Sequence, residues 1–312
     1  MDQLVVRAQF SKWRGYFVAA PTVFNHDLSI DAAGQDALLD WYLAEGMHGI
    51  VIAGTSGEWS ALTSKERVRL FELARLRVPR SLPLIAGCNA LTALETGEYA
   101  RQAALLGFDG IMVSPPPYVV PTEEEVFAFY QMVADASDLP IIVYNWPRGT
   151  GIDMSPALVT RLGEIPKIVA LKNSTANLGA FVETLRRCQD RLIIFGILPS
   201  DLGLGLMERL GGDGCIGAMG VLGRHQPGFF THAWRGDSEQ ALRCGRKDQF
   251  LMSHLLEGFG GRYGNAIATF KYLLSMRGLP SGPVRPPLLN LSPGGQDAIQ
   301  RIISSRGELF AP

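Results

Sequence analysis

Lys167-Ile168-Val169-Ala170-Leu171-Lys172-Asn173 sets four apolar residues directly in front of an amine and an amide. A short apolar run closed by a polar break reads as a parallel strand buried on both faces. Lys172 ends that strand at the rim of the core. A lysine deprived of water loses part of what keeps it charged, so its pKa is expected to fall. The uncharged amine is a nucleophile toward carbonyl carbon, which is Schiff-base chemistry. A strand-end lysine can equally snorkel and hold its head in water. The chain on either side decides between these readings.

Outward from this strand, two signals alternate. Short β-rich runs are expected over 16–24, 49–53, 83–87, 110–114, 139–145, 167–172, 192–196 and 214–217. Longer amphipathic stretches separate them over 31–45, 64–78, 92–106, 122–137, 155–162, 177–188 and 201–210. Asp31, Thr63 or Ser64 can cap their helices, and Glu123, Glu124 and Glu125 suit the positive end of a helix dipole. This alternation is that of a parallel α/β fold. Eight such units predict a closed (β/α)8 TIM barrel. An open doubly wound sheet ranks lower, because no GxGxxG turn follows the first strand. After residue 224 the strands stop. Helices are expected over 225–235, 238–256, 266–277 and 293–304, with a proline-rich strap from Leu279 to Pro287 among them. Residues 1–224 thus read as the barrel with the active site, and 225–312 as a C-terminal helical extension.

The bulk properties exclude several function classes. The 312 residues suit one barrel of ~250 residues plus an appendage. A hydrophobic fraction of 47% supports a sizeable core. The net charge of −1 points to neither a nucleic acid nor a membrane as partner. Met1 to Gly15 has no apolar segment of a secretory signal, and no run approaches the ~20 residues of a membrane span. Cys88, Cys188, Cys215 and Cys244 form no CxxC pair and read as reduced thiols of a cytoplasmic protein. His26, His48, His225, His232 and His254 show neither HxH nor HExxH spacing, so no metal site and no cofactor is expected.

In a barrel, chemistry gathers where strands run into the loops before helices. The second strand leads into Gly54-Thr55-Ser56-Gly57-Glu58, whose backbone N–H groups and hydroxyls could hold a carboxylate. The fifth leads into Tyr144-Asn145-Trp146-Pro147, where a phenol could pass protons. The sixth ends at Lys172. Alternate residues of a strand share a face. Ile168, Ala170 and Lys172 are therefore expected to point one way, as are Ile142 and Tyr144, and Val51, Ala53 and Thr55. Adjacent fifth and sixth strands would then let Tyr144 and Lys172 meet.

GTSGEW (Gly54–Trp59), YNWP (Tyr144–Pro147) and IVALKNST (Ile168–Thr175), in this order and spacing, resemble the dihydrodipicolinate synthase/N-acetylneuraminate lyase family of class I aldolases. The stretches Leu210–Gly214 and Gly278–Leu288 agree, and the resemblance runs from Tyr16 to about Ile303. It implies a barrel with a helical C-terminal extension, assembled as a homotetramer of tight dimers or as a homodimer. It also implies a small 2-oxo acid as substrate. Lys172 resembles the lysine that forms a Schiff base with pyruvate or another 2-oxo acid. Tyr144 resembles the proton-relaying tyrosine. Thr55 and Ser56 resemble the pair that holds the carboxylate, Thr55 also linking to the tyrosine hydroxyl. Ile216 falls near an apolar residue that packs by the adduct.

Two positions depart from the synthases of that family. They carry an arginine two residues past the YNxP proline, and here Gly149 stands there, with Arg148 one residue early. In the loop after the fourth strand, Pro117 or Tyr118 takes the place of a tyrosine that reaches across the dimer. Trp59 and Trp146 suggest a bulky, apolar pocket wall. The leading expectation is a Schiff-base lyase, either an aldolase or a dehydratase of a 2-keto-3-deoxy acid. Dihydrodipicolinate synthesis and a non-catalytic barrel that binds a small acid are the alternatives.

Overall fold

The strand ladder closes on itself. The computed structural model describes residues 8–257, 260–306 and 309–310, so the first seven residues of the expected amino-terminal stretch lie outside it. Strands β1 (Gly15–Ala19), β2 (Gly49–Ile52), β3 (Leu84–Gly87), β4 (Gly110–Val113), β5 (Ile141–Asn145), β6 (Ile168–Asn173), β7 (Ile193–Phe195) and β8 (Gly214–Ala218) run parallel in sequence order. β8 pairs back onto β1. Between them stand α1 (Ala32–Ala44), α2 (Ser64–Arg77), α3 (Ala93–Leu106), α4 (Glu123–Ala136), α5 (Pro156–Leu162), α6 (Leu178–Cys188) and α7 (Asp201–Leu210). This is the expected (β/α)8 barrel. α8 (His225–Trp234), α9 (Ser238–Leu255), α10 (Ala266–Met276) and α11 (Pro293–Ser304) follow.

Two apolar layers explain why the strands read as unbroken apolar runs. Phe17, Val51, Ile85, Met112, Ile142, Phe195 and Ile216 fill the barrel interior above Trp13. Tyr42, Ile50, Leu84, Ile111 and Val143 belong to an outer layer beneath the helices. Phe229, Phe230, Leu251, Leu273, Leu274 and Ile299 of the C-terminal helices join that same outer layer. Helix starts are fixed locally. Asp31, Thr63, Thr92, Thr122, Ser155, Asn177 and Ser200 each accept a first-turn N–H, worth ~1 kcal/mol apiece. Thr63 with Glu66 and Thr122 with Glu125 complete capping boxes. Among the described residues no helix is long and apolar enough to cross a membrane.

Local phase departs from expectation at three places. β1 stops at Ala19 and not at residue 24. Pro21 has no N–H for a ladder, and beyond it only an isolated bridge joins Phe24 to Ile30. In β6, Ile141 pairs with Ile168 but Ile142 pairs with Ala170, so Val169 is an extra residue. Such a bulge turns successive side chains to one side. Val169 and Ala170 both face inward while Ile168 joins the outer layer, which corrects the expectation that Ile168 shares the face of Lys172. Ala53 takes a left-handed φ of 53° and also turns outward, so Val51 and Ala53 do not share a face. Thr55 reaches the barrel mouth through a turn, not through strand alternation.

Candidate active site

β5 and β6 set Tyr144 beside Lys172 and Asn145 beside Asn173. Lys172 Nζ lies 3.9 Å from the centroid of the Tyr144 ring, over its face, where the ring quadrupole attracts a cation. The Trp146 ring runs parallel to Tyr144, 5.7 Å away at 4°. Both Lys172 and Tyr144 are buried, and no ion pair to Lys172 occurs among the described residues. Asn145, fully buried, stitches the two strand ends together. Its amide donates to Asp153 Oδ1 at 2.8 Å and to Asn173 Oδ1 at 3.0 Å, and its oxygen accepts from Met154 N–H at 3.1 Å. The Thr175 hydroxyl donates to the other Asp153 oxygen at 2.6 Å. These bonds fix the loops that follow Tyr144 and Lys172.

The turn after β2 presents donors. Gly57 N–H donates to Gly54 O and Glu58 N–H to Thr55 O. Among the described residues no backbone carbonyl takes the N–H groups of Thr55 and Ser56. Thr55 Oγ1 is buried without a hydrogen-bond partner, so the expected link to the Tyr144 hydroxyl is not made. A buried polar atom left unpaired costs ~1–3 kcal/mol. A bound carboxylate would remove that cost. The turn is anchored from below. Glu58, at a φ of 55°, forms an ion pair with Lys271 of α10 at 2.6 Å, both buried. Its other oxygen accepts from Arg285 N–H at 2.8 Å. The proline-rich strap therefore grips the loop that carries Thr55 and Ser56.

A cavity of about 300 Å³ opens at this end of the barrel, lined among others by Thr55, Ser56, Tyr144, Trp146, Arg148, Lys172 and Ile216. Tyr118 is not among its lining residues. It stands 95% exposed with a φ of 84°, because the loop that opens with Pro115, Pro116 and Pro117 carries Tyr118, Val119 and Val120 out from the barrel. Trp59 is also elsewhere, with the Arg67 guanidinium over its ring. The model of the dihydrodipicolinate synthetase family matches residues 12–306. The chain belongs to the dihydrodipicolinate synthetase family.

Members of that family are lyases that form Schiff bases, and this chain is an enzyme of that class. It is 32% identical to a 4-hydroxy-tetrahydrodipicolinate synthase of Afipia carboxidovorans, covering 96% of this chain and 98% of that one. It is 30% identical to one from Thermodesulfovibrio yellowstonii, over 95% and 99%. The crystal structure of dihydrodipicolinate synthase from Aquifex aeolicus superposes with a TM-score of 0.85 at 26% identity, over 96% and 100%.

Two further local features shape the site. A Cβ on Gly149 would stand 2.4 Å from the Trp146 ring. While Trp146 lies against Tyr144, no side chain fits at 149. Arg148 is left as the guanidinium at the cavity rim. The second feature escaped the sequence reading. Tyr16, Gln226 and Asp248 also line the cavity, two of them from helices first read as an appendage. Asp248 lies on the buried face of α9 with Ala241, Gly245, Leu251 and Leu255. An acid in that apolar register was the available signal. Burial lifts its pKa from 3.8 to about 6, although the hydrogen bond from Gln226 pulls the other way. A carboxyl whose pKa is raised by folding gives full stability below its ordinary value and loses it as pH rises through the folded value. Asp248→Asn should therefore stabilise the protein by about 3 kcal/mol at pH 8. The gain should vanish near pH 4. Urea unfolding at the two pH values checks the sign.

Proposed function

We propose that Lys172 forms a Schiff base with pyruvate or a 2-keto-3-deoxy acid, and that Tyr144 moves the protons. One observation carries this reading: a buried amine directly over a buried phenol at the mouth of a closed barrel. The N–H groups of Thr55 and Ser56 and the orphaned Thr55 hydroxyl hold the substrate carboxylate. The unprotonated amine attacks the ketone carbon, and Tyr144 delivers a proton to the oxygen. Water leaves, and an iminium remains. That cation withdraws electrons, so the neighbouring carbon loses a proton or its C–C bond breaks, giving an enamine. The enamine adds to an aldehyde, takes up a proton or expels a β-hydroxyl. Ile216 packs by the adduct. The enzyme works as a cytoplasmic homotetramer of tight dimers or as a homodimer, with the exposed loop bearing Tyr118 carried into a subunit contact.

A second reading is 4-hydroxy-tetrahydrodipicolinate synthesis. The names of the curated relatives favour it, and so does Arg148 at the rim. Gly149 opposes it, since a bidentate grip on a second carboxylate tolerates little displacement. Product formation from pyruvate and aspartate semialdehyde separates the two. Tyr144→Phe tests the relay. It should lower kcat ~100- to 10,000-fold while the Kd for pyruvate changes little. Equal losses in both would show that Tyr144 only helps to bind.

A further inference from the structure

The cavity continues beyond the barrel mouth. Tyr16 and Cys215 belong to the outer layer, facing away from Phe17 and Ile216, yet both line the same cavity as Lys172. The space therefore passes the end of β8 into a chamber between the barrel wall and α8, α9 and α10. Lys172 and Asp248 both lie within electrostatic reach of the Cys215 thiol, and both line the one cavity. Gly217 makes room for the Tyr16 ring at this wall. A Cβ there would stand 2.1 Å from the Tyr16 hydroxyl.

The chamber is largely apolar, with Tyr16, Gln226, Asp248 and Asn265 as its polar groups. Leu251, Met252, Leu256, Ile267 and Phe270 line it. Gln226 Oε1 accepts from Leu222 N–H at 3.2 Å, which turns Nε2 to donate to Asp248 Oδ1 at 2.7 Å. The Tyr16 side chain lines the cavity beside the same Gln226. No cation pairs with Asp248 among the described residues. Buried carboxylates ordinarily have a cation or several donors. This one has a single donor and a cavity in front of it.

We propose that this chamber receives the far end of the second substrate, an aldehyde with an apolar body that ends in a hydroxyl, and that Asp248 accepts the hydrogen bond from that hydroxyl. The proposal rests on the Schiff-base reading, with the aldehyde carbon held beside the Lys172 enamine and its tail directed past Ile216 and Gly217. A short polyol fits less well. Its hydroxyls would lie unpaired against Leu251, Met252 and Phe270, and burying unpaired hydroxyls is costly.

Initial rates of aldol addition by the intact enzyme test this, with pyruvate and 3- or 4-(hydroxymethyl)benzaldehyde against 3- or 4-methylbenzaldehyde and glyceraldehyde. The hydroxymethyl compounds should be preferred over their methyl partners in kcat/KM by about tenfold or more. Asp248→Leu should abolish that preference. Met252→Trp, which fills the chamber without touching the buried carboxyl's charge, should slow both aryl pairs. No preference, a preference that survives Asp248→Leu, or glyceraldehyde outpacing all four aryl aldehydes would overturn the proposal. Deuterium exchange into pyruvate by the same wild-type preparation separates the two failures. Its absence removes the Schiff-base reading and this one with it. Its presence without selectivity removes the chamber alone.

Discussion

Lys172→Ala is expected to cut the rate of deuterium exchange at pyruvate C3 by about 10,000-fold or more, the scale on which removing a covalent nucleophile acts. Exchange in D2O, followed by NMR, requires only that the iminium lose and regain a proton. It therefore needs no knowledge of the second substrate. The variant should still fold. Lys172 is buried with no ion pair among the described residues, so its loss strands no opposite charge. Lys172→Arg sharpens the result. A guanidinium keeps the positive charge over the Tyr144 ring but stays protonated and cannot attack a carbonyl. Arginine should thus be as inactive as alanine. Substantial exchange by the arginine variant would mean that charge alone, and not a covalent bond, drives the chemistry.

Lys271→Met should destabilise the protein by about 3–5 kcal/mol, because it leaves Glu58 buried without its cation. The pair is 2.6 Å apart and both side chains are almost fully enclosed. Lys271 also donates to Pro283 O at 2.7 Å and sits over the Phe24 ring. Burial pulls its pKa down while Glu58 opposes that shift. Removing both charges at once, with Lys271→Met and Glu58→Gln, should recover much of the loss. The site should also respond. Glu58 ends the turn that carries Thr55 and Ser56, and Arg285 of the strap donates its N–H to the same carboxylate. Loosening that anchor should weaken pyruvate binding more than it slows the bound complex. Denaturant unfolding of the two variants, with pyruvate titrations beside it, measures both effects. A single variant as stable as wild type would show that the pair does not anchor the strap.

Much of the architecture was legible because parallel strands buried on both faces announce themselves as apolar runs between capped helices. The run ending at Lys172 and the run ending at Tyr144 carried their register with them, and the neighbours pair as adjacent strands must. What the runs could not carry was phase. An apolar stretch such as Ile168-Val169-Ala170-Leu171 has no polar residue to mark its outward face, so the extra residue at Val169 left no trace. Ala53 is an ordinary residue in a left-handed conformation, and its sequence gave no glycine to signal the break. Trp59 and Trp146 looked equivalent beside their motifs. Only Trp146 reaches the cavity, because Trp59 begins a short helical turn that faces Arg67. The part of the site most hidden was the wall supplied by α8 and α9. Gln226 and Asp248 lie far from every motif in the chain, and their role depends on which helix face meets the barrel. Asp248 among Ala241, Gly245 and Leu251 was the one anomaly in that pattern. The bonds by which Asn145 ties Asp153 to Asn173 are equally tertiary.

Reduction with borohydride in the presence of pyruvate, followed by peptide mass analysis, traps the covalent bond to Lys172 itself. One N-(1-carboxyethyl) adduct is expected, on the peptide that contains Lys172 and on that residue within it. The adduct should be lost in Lys172→Arg. An unmodified Lys172 across several 2-oxo acids, or an adduct on another lysine, would contradict a Schiff base at Lys172.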